Sequence, residues 1–218
     1  MTKKKSNIQI IMPRIPKELE SLHISNKRIE YEDFFSNVIL NDFYIEEQKA
    51  EKVIFEKTIF QNITFSDCSF KEIELTDVRF INCDLSNIDL SKAIIHRTQF
   101  ENCKIMGTKF MDATLRNVLF SNCNLEYGNF RQSNLKAVEF NTCSLKDSDF
   151  QDSELDQVEY DECNMKHILL VGTKLNKIDL STNDIDGIVV RVEDLKGVMV
   201  HSDQLVAFAG FLGIKIKK

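Results

Sequence analysis

Residues 78–100 read VRFIN CDLSN IDLSK AIIHR TQF when they are written in blocks of five. The third place of each block holds an apolar residue, such as Leu85 or Leu90, and the first place holds a small or β-branched residue. The third-place pattern runs without interruption from Phe55 to Leu180, through 26 pentads. With a hydrophobic fraction of 43%, such a run has a chance probability of about 10⁻¹⁰. A period of five therefore governs the fold.

Both apolar places of a pentad must be buried, and neither a helix of period 3.6 nor a flat strand of period two can bury both. A square coil can, because four pentads form its four sides and successive 20-residue coils stack on one another. The same interval separates Cys83, Cys103, Cys123, Cys143 and Cys163, and it also separates Phe60, Phe80, Phe100, Phe120 and Phe140. We predict seven coils over residues 51–190, which form a rod about 34 Å long at a rise of about 4.8 Å per coil.

The composition agrees with a soluble interaction protein. The chain has 218 residues, a net charge of -6, 16 Phe, 7 Gly and 2 Pro, so it is long enough for one domain and too poor in turn residues for ordinary hairpins. It has no apolar run of membrane-spanning length. The apolar stretch at residues 8–12 is too short for a signal peptide. We expect a cytoplasmic protein with reduced cysteines that binds neither membranes nor nucleic acid directly.

The sequence divides into three parts. Residues 1–28 are predicted to form a loosely docked or partly disordered N-terminal arm, since Pro13, Pro16 and several Lys and Arg residues occur there. The register is less clean just after the arm, where Ile29 and Phe34 lie one residue out of phase. Residues 29–200 are predicted to form the solenoid. Residues 201–218 are predicted to form a helix that begins at Ser202 and a closing strand, which together cap the rod.

The positions of the Cys, His and Gly residues do not indicate catalysis or cofactor binding. The cysteines occupy inward places that Val, Ala, Ser and Thr fill elsewhere, so they are interpreted as small apolar residues. The four histidines have no recurring Ser, Cys or carboxylate companions, and no glycine-rich phosphate loop is present. We predict that the protein is not an enzyme and needs neither a cofactor nor a metal.

Acidic residues concentrate in one coil. Residues 146–165 carry a net charge of -7, whereas the other coils from residue 66 to residue 185 lie between -3 and +1. We call this coil the acidic coil and predict that it binds a partner through Asp147, Asp149, Asp152, Glu154, Asp156, Glu159, Asp161 and Glu162. The alternative interpretation is that these residues form a charged face that maintains solubility.

The pentads resemble the pentapeptide-repeat family, in which a small residue, Asp or Asn, and Leu or Phe precede two variable residues. Cys83-Asp84-Leu85, Cys123-Asn124-Leu125 and Ser148-Asp149-Phe150 fit this pattern well, and the resemblance covers about 140 residues. It implies an all-β fold, a right-handed quadrilateral β-helix with a short C-terminal capping helix. The C-terminal stretch, with Ile185-Asp186-Gly187 and Leu212-Gly213-Ile214, is similar to the Qnr-type branch of this family.

The Qnr-type resemblance implies a partner and an assembly. Members of this branch imitate DNA, bind the type II topoisomerases DNA gyrase or topoisomerase IV, and protect them from fluoroquinolones. They are homodimers joined through C-terminal helices, which places the expected interface at Leu205, Val206, Phe208, Ala209, Phe211 and Leu212. Members that confer resistance often have loops that interrupt the coils, whereas nothing is inserted here between Phe55 and Leu180. Two alternatives therefore stay open: gyrase inhibition without drug protection, and an interaction rod with another protein partner.

Overall fold

Each coil of the chain occupies 20 residues, and its strands pair in parallel with the coils before and after it. Phe80, for example, is in register with Phe60 on one side and Phe100 on the other. The computed structural model describes residues 8–24 and 28–209, and it forms a parallel β-solenoid of about seven turns. The solenoid and the short helical C-terminal segment confirm the predicted fold class.

We number the four sides of the coil by the central residues of their pentads. Side 1 carries residues 55, 75, 95, 115, 135 and 155, side 2 carries residues 60 to 160, side 3 carries residues 65 to 185, and side 4 carries residues 70 to 190, each at intervals of 20. The strands are β1 (Glu20–Ser21), β2 (Phe34–Ser36), β3 (Val38–Asn41), β4 (Tyr44–Glu46), β5 (Ile54–Gln61), β6 (Thr64–Ser66), β7 (Glu74–Ile81), β8 (Ile94–Glu101), β9 (Thr114–Ser121), β10 (Asn134–Asn141) and β11 (Glu154–Asp161). Each of the long strands β5 and β7–β11 spans sides 1 and 2.

Stacked aromatic rings fill the core of the solenoid. On side 2 the Phe80 and Phe100 rings lie 4.8 Å apart and nearly parallel, and on side 4 Phe130 and Phe150 lie 4.4 Å apart. The two stacks meet edge to face, as between Phe130 and Phe140 at 6.2 Å. Offset stacks and edge contacts are the favoured arrangements of aromatic pairs. The excess of Phe in the composition therefore follows from the 20-residue repeat.

The coil turns its corners with left-handed residues, most of which are not glycine. The second residue after each central residue has a positive φ in nearly every pentad, as at Asn82, Asn102 and Ala137. Asn and Asp tolerate this conformation better than other non-glycine residues because their side chains bond to the nearby backbone. Gly187 shows the alternative, since its φ is 69° and a Cβ atom there would meet the His167 ring at 2.1 Å. The low Gly content is thus compatible with a fold that turns every five residues.

The coil before residue 51 keeps the 20-residue register of the repeat. Phe35 is the buried residue, and its ring stacks on Phe55 at 4.9 Å, whereas Phe34 points outward. Ile29 is also buried against the core. Phe34 is therefore one residue out of phase, as expected, whereas Phe35, which was not singled out from the sequence, continues the repeat.

The described part of the N-terminal arm, residues 8–24, contacts the solenoid. The Ile11 amide donates to Asn117 Oδ1 at 3.1 Å, and the Arg14 amide donates to Asp77 Oδ1 at 3.0 Å. Farther along, β1 pairs with β3 and covers the edge of the first coil. The arm therefore runs along the corner between sides 1 and 2, toward the N-terminal end of the rod.

Asp77 anchors this arm. Its carboxylate is buried and accepts two hydrogen bonds from the Arg97 guanidinium, from Nε at 2.6 Å and from Nη2 at 2.7 Å. Burial raises the pKa of Asp77, but the hydrogen bonds from Arg97 and from the Arg14 amide outweigh it and hold this pKa below its usual value. The carboxylate that fixes the arm is therefore charged at neutral pH.

The C-terminal segment closes the last coil. It contains two 3₁₀ turns, Val192–Leu195 and Ser202–Gln204, followed by the helix α1 (Leu205–Ala209). The N-cap of the second turn is His201 and not Ser202, because the His201 side chain accepts from the Asp203 amide and the Gln204 side chain accepts from the His201 amide. Gln204 Nε2 also donates to the Leu180 and Asn183 carbonyl oxygens. The predicted terminal strand lies outside the described residues, and no helix within them is long and apolar enough to cross a membrane.

Tyr160 is the aromatic residue of the side 2 stack that carries a hydroxyl group. Its ring lies parallel to Phe140 at 5.1 Å, and its buried hydroxyl has no hydrogen-bond partner among the described residues. Burial also raises the pKa of this hydroxyl, which therefore stays neutral. A buried, unsatisfied hydroxyl costs about 1–3 kcal/mol.

Tyr160→Phe is therefore expected to raise the free energy of unfolding by about 1 kcal/mol, because the stack is kept and the unsatisfied group is removed. Urea denaturation of the two proteins checks this value. Tyr127→Phe is the matched control, since the Tyr127 side chain is exposed and its hydroxyl can bond to water. A loss of stability in Tyr160→Phe alone would show that the hydroxyl has a partner.

Candidate protein-binding surface

The acidic coil distributes its carboxylates over three sides of the solenoid. Glu154 and Asp156 flank Leu155 on side 1, and Glu159 and Asp161 flank Tyr160 on side 2. The other four lie on side 4 or at the corners next to these sides: Asp147, Asp149, Asp152 and Glu162. The structure therefore brings the eight predicted residues into one turn but does not gather them on one face.

Basic residues of neighbouring coils neutralise part of the acidic coil. Lys136 Nζ lies 2.6 Å from Asp156 Oδ2, and Arg131 Nη1 lies 3.8 Å from Asp149 Oδ2. Asp147 contacts Lys146 at 3.7 Å and the His167 ring at 3.1 Å. Asp149 and Asp156 are thus paired with cations of the preceding coil, so the net charge of the coil overstates what a partner would meet.

The acidic charge that side 2 presents continues into the neighbouring coils. Glu139 and Glu159 are in register in adjacent strands, and Asp179 follows at the same 20-residue interval. Between residues 139 and 182, the outward places of side 2 and its following corner hold no Lys or Arg. We define the acidic strip as Glu139, Glu159, Asp161, Glu162 and Asp179. Counting charge coil by coil missed Glu139 and Asp179, although their spacing of 20 around Glu159 was visible in the sequence.

Neutral groups support the acidic strip. Asn141 Nδ2 donates to Glu139 Oε1 at 3.3 Å, and Thr182 Oγ1 donates to Asp161 Oδ1 at 3.2 Å. These bonds orient the carboxylates without removing their charge. Two carboxylates of the strip, Glu139 and Asp161, are therefore oriented by neutral groups that leave their charge in place.

The acidic coil also contains an interruption of the backbone ladder. On its upstream edge β11 pairs with β10 over seven register positions. On its downstream edge, within the described ranges, no backbone hydrogen bond joins residues 154–161 to residues 173–182. Sides 3 and 4 stay joined, for example from the Met165 amide to the Asp184 carbonyl at 2.7 Å. Within the described residues, the interruption therefore lies on sides 1 and 2.

Two side chains bridge the ends of this interruption. The Ser153 amide donates to Thr173 Oγ1 at 3.0 Å, and the Cys163 amide donates to Asn183 Oδ1 at 2.9 Å. Asn183 Nδ2 in turn donates to the Tyr160 carbonyl at 3.0 Å. Between them lies a cavity of about 590 Å³ that we call the slot. Its walls are β11 residues 155–159 and residues 174 and 176–179, together with Ile8 and Met199.

The cysteines form a column of buried thiols. Each Sγ of the column donates to a backbone carbonyl 23 residues earlier, as from Cys123 to Phe100 at 3.4 Å. The neighbouring Cys103 thiol and burial raise the pKa of the Cys83 thiol, and burial also raises that of Cys68. In Cys68 and Cys83 the thiolate, which is the nucleophile and the metal ligand, is therefore disfavoured. Among the described residues, no group of three or more His, Cys, Asp or Glu side chains could hold a metal ion.

The predicted dimer residues differ in accessibility. Leu205 and Val206 are exposed by 59% and 64%, whereas Phe208 is buried against the core of its own chain. Ala209 is half-buried. Phe211 and Leu212 lie outside the described residues. Of the described candidates, Leu205 and Val206 are therefore the residues that are open to a partner.

Comparisons with known proteins identify the repeat. Residues 73–150 match the family model described as a pentapeptide repeat region. Among curated proteins, none matches the chain significantly. Residues 73–150 are thus a pentapeptide repeat region.

Three solved structures are similar to this chain. A trypsin-treated variant of QnrB1, described as a plasmid-mediated fluoroquinolone resistance protein, is 21% identical, covers 92% of this chain and 100% of that chain, and has a TM-score of 0.48. HetL of the cyanobacterium Nostoc, described as involved in the regulation of heterocyst differentiation, is 14% identical, with coverages of 80% and 90% and a TM-score of 0.35. A pentapeptide repeat protein of the Arabidopsis thaliana thylakoid lumen is 17% identical, with coverages of 61% and 72% and a TM-score of 0.33.

Proposed function

We propose that this pentapeptide-repeat protein imitates DNA, binds a type II topoisomerase, DNA gyrase or topoisomerase IV, and protects it from fluoroquinolones. The observation that carries the proposal is the acidic strip on side 2. Its five carboxylates span three coils, or about 10 Å along the axis at about 4.8 Å per coil. Duplex DNA carries about six charges over that length. The local charge density of the strip therefore approaches that of DNA.

The rigidity of the solenoid supports the same function. Glu139 and Glu159 project from strands that pair over seven register positions, so the distance between their backbones is fixed before a partner arrives. A surface whose charges are held in place loses little conformational entropy on binding. A basic groove that accepts duplex DNA would meet an anionic surface that needs no rearrangement.

A supercoiling assay with purified DNA gyrase tests the proposal. Micromolar protein is expected to inhibit supercoiling, because it competes with DNA for the enzyme. At lower concentration, in the presence of ciprofloxacin, it is expected to reduce the accumulation of cleaved DNA. Supercoiling and cleavage that both stay unchanged at micromolar protein would refute the proposal for gyrase, and the same assay with topoisomerase IV would then decide the remaining enzyme.

The second candidate function is inhibition without drug protection. It is favoured by the uninterrupted outline of the rod, since no residue is inserted between the pentads of Phe55 and Leu180. The ciprofloxacin arm separates the two candidates, because an inhibitor without a protective loop leaves the amount of cleaved DNA unchanged at concentrations that spare supercoiling.

We further propose that the protein is a homodimer joined at Leu205 and Val206, whose side chains are exposed apolar groups on α1. Leu205→Asp combined with Val206→Asp is expected to halve the mass measured by light scattering, because charges would be buried at the interface. Phe34→Asp combined with Tyr44→Asp is the matched control, as both of these residues are exposed near the other end of the rod. A dimer that persists in the α1 variant would place the interface elsewhere.

A further inference from the structure

The outward places of side 1 carry a row of basic side chains in the middle of the rod. His96 in β8 is in register with Arg116 in β9, and Arg116 is in register with Lys136 in β10. Paired strands lie about 4.8 Å apart, so the row brings these side chains close together. Lys136 has an anionic partner, Asp156, at 2.6 Å. The other end of the row continues into Arg97, which turns the corner toward side 2 with a positive φ.

The N-terminal arm adds a third arginine to this surface. The Arg14 amide is bonded to Asp77 at 3.0 Å, and the Ile11 amide is bonded to Asn117, two coils farther along the same corner. The Arg14 side chain is exposed, and its charge acts on the His96 ring. We define the cationic corner as Arg14, His96, Arg97 and Arg116.

The cationic corner carries more positive charge than the nearby carboxylates neutralise. Arg97 donates hydrogen bonds of 2.6 and 2.7 Å to Asp77. The carboxylate of Glu56 also acts on Arg97, but it has a lysine partner at 2.8 Å. Within the described part of the chain, the guanidinium groups of Arg14 and Arg116 form neither an ion pair nor a hydrogen bond. Two arginine charges are therefore left without a counterion.

The properties of His96 reflect this excess of positive charge. Its ring is half-buried, and its Nδ1 atom lies 3.2 Å from Arg97 Nη1. Burial lowers the pKa of His96, and the three arginines of the cationic corner lower it further, whereas Asp77 raises it. The ring is therefore neutral at pH 7. An anion bound among these cations would favour its protonated form and raise its pKa.

A phosphate dianion has the charge and the acceptors that this surface lacks. Guanidinium groups bind phosphate oxygens through pairs of hydrogen bonds, which a chloride ion cannot accept in the same way. Arg116 projects from a strand that is paired on both edges, and Arg14 is fixed by the bond between its amide and Asp77. His96 lies in the intervening coil and can donate a ring N–H. The backbones of all three residues are thus in place before an anion binds.

We propose that the cationic corner binds a phosphate dianion, which Arg14 and Arg116 hold together with a ring N–H of His96. Because Arg14 belongs to the arm and Arg116 to the solenoid, the bound anion ties the arm to the rod. The phosphate is either free or the terminal group of a phosphate monoester, since the same three side chains recognise both. The proposal goes beyond the topoisomerase function and does not depend on it.

Nuclear magnetic resonance of the histidine rings in the full chain tests this site. Inorganic phosphate is added at constant ionic strength, with sodium chloride as the balancing salt. We expect a saturable change in the His96 resonance and a rise in its pKa by about one unit. His167 and His201 are internal controls that should not change, since each lies beside an aspartate outside the cationic corner. A His96 response that does not saturate, or that both controls share, would overturn the proposal.

Three variants separate the position of the charges from their number. Arg116→Gln and Arg14→Gln are each expected to weaken phosphate binding about ten-fold or more, since each removes hydrogen bonds to a charged ligand. Both side chains are exposed, so the fold is kept. Lys104→Gln is the matched control, because it removes one exposed positive charge from side 3, and we expect it to change binding by less than about two-fold. Equal weakening by all three variants, or unchanged binding in Arg14→Gln, would refute the site.

Two further ligands identify the source of the phosphate group. Adenosine monophosphate that acts on His96 at lower concentrations than inorganic phosphate would support a monoester, and equal or weaker binding would support free phosphate. An oligoglutamate peptide that binds more tightly than either would overturn the proposal in favour of an acidic protein partner. No topoisomerase is present in these experiments, so their outcome is independent of the proposed function.

Discussion

Phe120→Ala is expected to lower the free energy of unfolding by about 4 kcal/mol, as measured by urea denaturation. The Phe120 side chain is fully buried, and its ring stacks on Phe100 at 4.7 Å and on Phe140 at 4.9 Å. The backbone of β9 is held by β8 and β10 on both edges. Because the coil cannot collapse around the missing ring, the substitution leaves a cavity in the middle of the stack.

Phe34→Ala provides the matched control for this loss. Phe34 is 59% exposed, and its substitution is expected to change the free energy of unfolding by less than about 0.5 kcal/mol. Since coils contact only their neighbours, we also expect faster hydrogen exchange in β8, β9 and β10 than in β5 when Phe120 is replaced. Equal losses for the buried and exposed Phe residues would contradict the account of the core as continuous aromatic stacks.

Neutralising the acidic strip is expected to weaken binding to DNA gyrase by about ten- to hundred-fold. The variant combines Glu139→Gln, Glu159→Gln, Asp161→Asn and Glu162→Gln, which removes the charge and keeps the shape of each side chain. Titration calorimetry gives the affinity, and the concentration that halves supercoiling gives an independent value. The difference from the unmodified protein should shrink as salt is raised, because exposed charges are screened.

A control variant with the same loss of four negative charges tests whether position or net charge matters. It replaces Asp84, Asp147, Asp149 and Asp156 by Asn, and each of these carboxylates lies within 4 Å of a basic side chain of the chain itself. We expect it to bind within about three-fold of the unmodified protein, since paired charges contribute little at a surface. Equal weakening by both variants would show that net charge, and not the acidic strip, directs binding.

Much of the fold could be predicted because the sequence repeat indicates which side chains are buried. Val78, Phe80 and Cys83 point inward as the pentad requires, and the interval of 20 places Phe80 between Phe60 and Phe100. The concentration of acid in residues 146–165 was equally visible. Which of these carboxylates form ion pairs was not visible, because the partners of Asp149 and Asp156 are Arg131 and Lys136 in the preceding coil.

The sequence by itself determined the square coil, its 20-residue register and its aromatic stacks, since one hydrophobic period fixes burial in every coil. Only the tertiary structure decided where the ladder opens and where the arm lies. Thr173 and Asn183 occupy the inward places of ordinary pentads, yet their side chains accept the Ser153 and Cys163 amides and frame the slot. The hydrophobic period indicates whether a side chain points into the core or out to solvent. The separation of two coils along the axis depends instead on which groups form hydrogen bonds between those coils.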